Sequence, residues 1–397
     1  MLLFVTALLD MSVCAADRLR GLLTTVCNHV GYEVVDGMSE EQLADFIKDL
    51  AAFAGAEAGV GGDAVATDYL GLAREIKDAR DRLLELMRRP RIEQRTPIWY
   101  EVRENMLTAS NLAQALNKGK FASRNALLKE KITKVSTFDS SNDALRWGTM
   151  FEDMVMRCYL QLLPHRVAVH DFGLILHPEI DCFGASPDGI TAWGIMLELK
   201  APYKRDIEPG QVPIQYYYQI QGQLSACGLK ECDYVEAKMH VYGALTQYCE
   251  AHKNERKLHG VIIEYKPSAG DTVCDNSDNS LYLYSQEGMT GEEASEWALS
   301  EAARLSNSAE FTLVAIKPWR MVNINIVRVN FDAELWNETV PRIHTFWNEV
   351  KEGRRKLAEG TLEFKTRKPS KPRARKESSN DNSAHKKSKY DFVDDDD

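Results

Sequence analysis

The 397-residue chain is 44% hydrophobic and 27% charged, which is globular composition for one large domain with appendages or two modest ones. A formal charge of −10 excludes the overall basic character that would announce a nucleic-acid partner, though it says little about a local groove. The eight cysteines (Cys14, Cys27, Cys158, Cys182, Cys227, Cys232, Cys249 and Cys274) form no C-x-x-C and match no zinc module, so they read as reduced thiols of an intracellular protein.

The opening "MLLFVTALL" is too short to span a bilayer, has no basic residue ahead of it and is followed at once by Asp10. It reads as the first turn of a packed helix rather than a signal peptide, and no other segment is long and apolar enough for a membrane. Residues 1–89 form a helical extension by pattern. In "SEEQLADFIKDLAAFAG", Ser39 is a candidate N-cap with Gln42 three residues on, and Leu43, Phe46, Ile47, Leu50 and Phe53 follow at helical spacing. "AGAEAGVGGDA" reads as a linker, and a second amphipathic helix carries Leu72, Ile76, Leu83, Leu86 and Met87 before Pro90. No chemistry shows here; packing and partner binding are both open roles for the extension.

From residue 91 to 358, helical runs alternate with short apolar strands, the pattern of one α/β domain. "RWGTMFEDMVMRCYLQLL" is an amphipathic helix with Trp147, Phe151, Met154, Val155, Cys158 and Leu162 as its buried stripe and Glu152 at the edge. In "GASPDGITAWGIMLELKAPYKR" (184–205), strand alternation places Met196, Glu198 and Lys200 on one face, and Ile195, Leu197 and Leu199 on the other. A two-residue turn at Trp193-Gly194 would set Asp188 opposite Leu199. A three-residue turn, Ala192-Trp193-Gly194 with Gly194 left-handed, sets Asp188 opposite Glu198. Opposed residues have Cβ atoms roughly 4.5–5.5 Å apart, where like charges are destabilising unless a cation lies between them. Hard oxygen donors point to magnesium or manganese, and Lys200 on the same face would hold and polarise a water for metal-assisted hydrolysis. The competing account is an exposed hairpin with a solvated Glu198–Lys200 pair.

In "QYYYQIQGQLSACG", Tyr216, Gln219 and Gln223 share a polar side of a helix, and Tyr217, Ile220 and Leu224 an apolar one. Residues 251–285 read as strands separated by a polar Asp/Asn/Ser/Gly loop. From Lys365 to Asp397 the chain is low-complexity and reads as a disordered charged tail; its "KTRKPSKPRARK" run suits nuclear import, a DNA-holding arm or plain solvation.

"PD" followed by "ELK" resembles the PD-(D/E)xK nuclease signature, and the wider sequence, over roughly 95–350, resembles its lambda exonuclease and YqaJ-type viral recombinase branch. "WYEVRENMLTAS" reproduces that branch's Trp–Arg–Ser intervals with Trp99, Arg103 and Ser110. The resemblance implies that Arg103 and Ser110 hold a 5′-terminal phosphate, which suits a guanidinium fork and a hydroxyl near a helix start. It implies that Glu152, on a G-x-x-x-E helix, is a further metal ligand beside Asp188, Glu198 and the Leu199 carbonyl. It places Tyr216, Gln219 and Gln221 beside the site, with Gln219 orienting water or phosphate. It also implies a central mixed sheet flanked by helices, two Mg2+ ions with Mn2+ as a substitute, and 5′→3′ digestion of double-stranded DNA ends. A single-strand annealing or binding protein as partner and a ring-shaped homo-oligomer come with it, although the elaborated loop between Lys253 and Ser280 counts against the ring. Beside these residues, "NKGKFASRNALLKEKITK" holds six Lys or Arg against one Glu, and its Lys118, Lys120 and Arg124 suit DNA phosphates. An endonuclease or RNA-cleaving enzyme, and a non-catalytic DNA-binding scaffold, are the rival functions.

Overall fold

The computed structural model describes residues 15–58, 68–120, 122–135, 142–163, 165–268 and 280–363. Helices α1 (Ala15–Val30), α2 (Glu33–Asp36), α3 (Glu40–Ala58) and α4 (Tyr69–Arg88) come first. Ser39 and Gln42 exchange side-chain and backbone hydrogen bonds at the head of α3, satisfying N–H groups that a first helical turn leaves free. Asp68 accepts from the Gly71 N–H at the head of α4. Leu43, Ile47, Leu72 and Ile76 then pack with Leu23 in one core. Met87 does not join that stripe: it is 47% exposed, one residue and so about 100° around the helix from buried Leu86.

The chain continues through α5 (Pro97–Glu104), β1 (Leu107–Thr108), α6 (Ala109–Ala115), α7 (Arg124–Thr133) and α8 (Asp143–Leu162). Short strands follow: β2 (Val169–His170), β3 (Ile175–Leu176), β4 (Phe183–Ala185), β5 (Gly189–Thr191) and β6 (Met196–Lys200). Then come α9 (Ile214–Cys227), β7 (Glu231–Val241), α10 (Leu245–Ala251), β8 (His259–Pro267) and β9 (Leu281–Tyr284), and finally α11 (Gly291–Ser306), β10 (Phe311–Asn330) and α12 (Ala333–Ala358). The main sheet has the order β2-β5-β6-β7-β10-β8-β9, and β1-β4-β3 form a smaller one. β6 and β7 run parallel with α9 as the crossover, and the other pairs of the main sheet are antiparallel, so the sheet is mixed. β10 pairs with β8 along its first half and with β7 along its second, with register shifts at Leu313/Ala315 and Met321/Asn323 that let it bend.

Helices cover both faces where it matters. α8 packs on Leu197, Leu199 and Val235, while α9 packs on the Met196 and Tyr234 side. β6 is therefore buried front and back, and any charge it carries must find a partner inside the protein. The six cysteines at 27, 158, 182, 227, 232 and 249 are free thiols. Among the described residues, no helix is long and apolar enough to cross a membrane. The expectations for residues 1–14, for residues 59–64 of the linker, for loop residues 269–279 and for the tail from 364 fall outside the described residues, whereas residues 54–58, read as the start of the linker, continue α3.

Gly194 tests the hairpin directly. Its φ is +71°, and a Cβ there would lie 2.7 Å from Ala79 Cβ and 3.0 Å from the Ala79 carbonyl oxygen. Gly194→Ala is expected to destabilise the fold by about 2–4 kcal/mol, from left-handed strain plus overpacking, measured as a lowered urea midpoint. An unshifted midpoint would show that the turn adapts.

Candidate active site

The hairpin closes through Ala192, Trp193 and Gly194: the Gly194 N–H donates to the Thr191 carbonyl at 2.9 Å, and the Thr191 N–H to the Ile195 carbonyl at 2.8 Å. Gly189 pairs with Leu197 and Ile190 with Met196, a register that carries on to Asp188 opposite Glu198. The Asp188 N–H donates to the Leu197 carbonyl at 3.3 Å, and the Leu199 N–H donates to Asp188 Oδ2 at 2.6 Å.

Glu198 is 0% exposed, which rules out a solvated Glu198–Lys200 pair. Its Oε1 pairs with Lys200 Nζ. Gln219 and Gln223, one turn apart on α9, donate to Oε1 at 2.7 Å and to Oε2 at 2.8 Å. Burial works against the charge on Lys200, but the Glu198 and Asp188 carboxylates outweigh it and raise the ammonium's pKa. Its Nζ also lies 5.2 Å from the centre of the Tyr216 ring. Asp188 moves the other way for an acid: burial, then the Glu198 charge, then the Glu152 charge push its pKa well above the carboxylate range, against the pull of Lys200.

Glu152 stands on α8, one turn after Gly148, whose missing Cβ would meet nothing within 4 Å. Burial, chiefly, raises its pKa, yet the side chain is 43% exposed and lies 4.0 Å from Arg95. The three acids expected to share a cation are thus within electrostatic reach of one another but not gathered. Among the described residues, no three His, Cys, Asp or Glu side chains are arranged to hold a metal ion. Glu198 has its counter-ion in Lys200.

Arg103, Ser110 and Asp188 line one cavity of about 180 Å3 together with Trp99, Gln219 and Gln223. Arg103 stacks 4.1 Å over Trp99, burial lowers its pKa, and among the described residues it pairs with no carboxylate. Lys131 holds the Arg103 carbonyl at 2.7 Å. Ser110 follows Thr108, the N-cap of α6, and its hydroxyl lies 3.0 Å from Thr108 Oγ1. A larger cavity, about 610 Å3, runs along residues 327–333, away from these groups, and carries none of this chemistry.

The other expected residues have varied surroundings. Arg124 makes a bidentate pair with Glu349 at 2.9 and 2.7 Å and lies over Phe346, so its charge ties α7 to α12. Lys118 and Lys120 are exposed on the loop after α6. Tyr216 stacks 5.8 Å from Tyr234 behind Lys200. Gln221, 1% exposed, turns away, donating to the Asn330 carbonyl and accepting from the Asp332 N–H. Gln223, placed by spacing on the polar side of the helix without a role, is a further residue of the site. Its i,i+4 relation to Gln219 was the available signal.

The core is a mixed α/β sheet flanked by helices, with an Asp–Glu–x–Lys hairpin of the PD-(D/E)xK type. Residues 98–230, which hold every one of these site residues, match the YqaJ-like viral recombinase domain family. An uncharacterized protein of Acanthamoeba polyphaga mimivirus is 24% identical over 297 residues, covering 66% of this chain and 53% of that protein. The chain thus spans about half the length of that relative. An alkaline exonuclease from Laribacter hongkongensis is similar in structure at 21% identity, covering 67% of this chain and 97% of that one, with a TM-score of 0.40. A phage-related exonuclease from Haemophilus somnus 129PT has 11% identity, 65% and 96% coverage, and a TM-score of 0.34.

Proposed function

We propose that the chain is a magnesium- or manganese-dependent deoxyribonuclease that digests duplex DNA from its 5′ ends, leaving single strand for recombination or viral genome processing. The observation that carries this reading is the opposition of Asp188 and Glu198 beside Lys200, in a YqaJ-like domain, with Arg103 and Ser110 lining the Asp188 cavity. The donor set fits a hard divalent cation: Asp188, Glu198 and Glu152 are carboxylates, the Leu199 carbonyl adds a fourth oxygen, and no imidazole or thiolate is among them. The raised pKa of Asp188 expresses negative charge crowded into a buried place, which a cation would relieve. When bound, such an ion neutralises charge on the phosphodiester and makes water a better nucleophile.

The chain's own residues do the rest. Gln219 and Gln223 fix the Glu198 carboxylate from α9. Lys200, held as an ammonium, donates a hydrogen bond to water or to a phosphate oxygen and steadies charge that grows during in-line attack. Arg103 and Ser110 grip the terminal phosphate, which sets the next phosphodiester along the cavity toward Asp188. At about 180 Å3 the cavity is smaller than the roughly 300–1,000 Å3 that takes in a whole small molecule. It suits a strand end reaching in from a polymer.

The test is digestion of linear duplex labelled at either end, with magnesium or with chelator. Early release of the 5′ label as mononucleotides, lost in chelator, is expected. Early release of the 3′ label, or equal cutting of closed circular DNA, overturns the assignment.

A further inference from the structure

The turn that sets Asp188 against Glu198 is held from outside the YqaJ-like stretch. Arg80 of α4, 5% exposed, donates through Nε and Nη2 to both Asp36 oxygens at 2.7 and 2.6 Å. Its remaining arm, Nη1, donates to the Ala192 carbonyl at 2.8 Å. The Trp193 indole N–H donates to Thr24 Oγ1 of α1 at 2.7 Å, and the Thr24 hydroxyl donates on to the Arg20 carbonyl at 2.7 Å. Tyr32 packs 5.1 Å from the Trp193 ring, with Arg80 5.2 Å over Tyr32 on its other contact. Ala192 and Trp193 are 0% and 3% exposed, so these partners stand where water cannot.

The hairpin needs such support. β5 has three residues, begins with a glycine and makes two register pairs with β6. A pair that short specifies its register weakly, and a slip of one residue would send Asp188 to the opposite face from Glu198. The Ala192 carbonyl, buried in the turn, would also lack a partner without Arg80. Thr24, Tyr32, Asp36, Ala79 and Arg80 all precede residue 98, where the family match begins.

We infer that helices α1–α4 clamp the hairpin, with Thr24 and Arg80 as positioning residues that hold Asp188 and Glu198 in register for hydrolysis. The inference rests on the nuclease reading for its kinetic consequence only. It assigns the helical extension a packing role toward the acids.

The full-length chain tests this with Thr24→Val, which keeps shape and removes the acceptor for the indole, against Thr24→Ser, which restores it. The Leu199 amide, bonded to Asp188, reports the hairpin by hydrogen exchange whatever the activity. Thr24→Val is expected to lower kcat about tenfold, with KM held within about twofold, and to speed Leu199 exchange by a similar factor. Thr24→Ser should stay near wild type in all three. Arg80→Lys, which keeps the charge facing Asp36 but loses the fork, should show the same split and serves if Thr24→Val does not fold. Wild-type kcat and Leu199 exchange in Thr24→Val overturn the clamp, as does a rise in KM at constant kcat. A wild-type chain that cleaves no DNA sinks the nuclease reading alone, and the exchange comparison still decides the clamp.

Discussion

Asp188→Asn is expected to slow magnesium-dependent DNA hydrolysis by about 10³-fold, or about 4 kcal/mol of transition-state stabilisation, while duplex binding in calcium persists. The substitution is nearly isosteric, and the amide oxygen still accepts the Leu199 N–H that Asp188 Oδ2 accepts at 2.6 Å. What it removes is the charge. In the folded chain that charge is disfavoured by burial, by Glu198 and by Glu152, which is why the Asp188 pKa is raised. Asp188→Asn should therefore unfold at a higher temperature than wild type in chelator. Saturating manganese should reverse the order, since a ligand at 100 times its Kd adds about 2.7 kcal/mol to a chain that binds it and little to one that does not. Activity and metal-free stability moving in opposite directions separates a lost ligand from a damaged fold. Unchanged cleavage would remove Asp188 from the site.

Strand alternation made the hairpin readable but left two turns open, and the observed three-residue turn, with Gly194 left-handed, is the one that opposes Asp188 to Glu198. The two faces of α9 were readable for the same reason, a fixed period of 3.6. What spacing does not encode is which long-range partner takes a charge. Arg124 sits in a basic run, yet its partner Glu349 comes from 225 residues away. Lys200 was expected to hold water, and its contact with Glu198 follows from the buried strand rather than from E-x-K spacing. Gln223 was placed on a polar helix side without a role, and its burial at 1% exposure sets it against Glu198. The clamp was not readable at all, since nothing local to Thr24 or Arg80 announces a hairpin 169 or 112 residues away.

Arg103→Ala is expected to reduce digestion of 5′-phosphorylated duplex by about 10- to 100-fold while leaving 5′-hydroxyl duplex at its own slower rate. A charge-assisted bidentate contact is worth roughly 1.5–3 kcal/mol, and losing it costs only substrates that carry the phosphate. The geometry favours a reader of anions. The guanidinium lies flat on Trp99 at 4.1 Å, Lys131 pins its backbone carbonyl, and burial makes its charge harder to hold than in water. An arginine in that state gains more from an arriving phosphate than a solvated one would. Arg103→Lys should recover part of the rate and little of the preference, because a point charge lacks the planar fork and stacks less well. The comparison is a ratio of initial rates on the two ends, measured at fixed salt, since phosphate contacts weaken with ionic strength. Equal losses on both ends would mean that Arg103 grips the backbone generally. In that case the 180 Å3 cavity beside Asp188 would be a groove for the strand and not a pocket for its end.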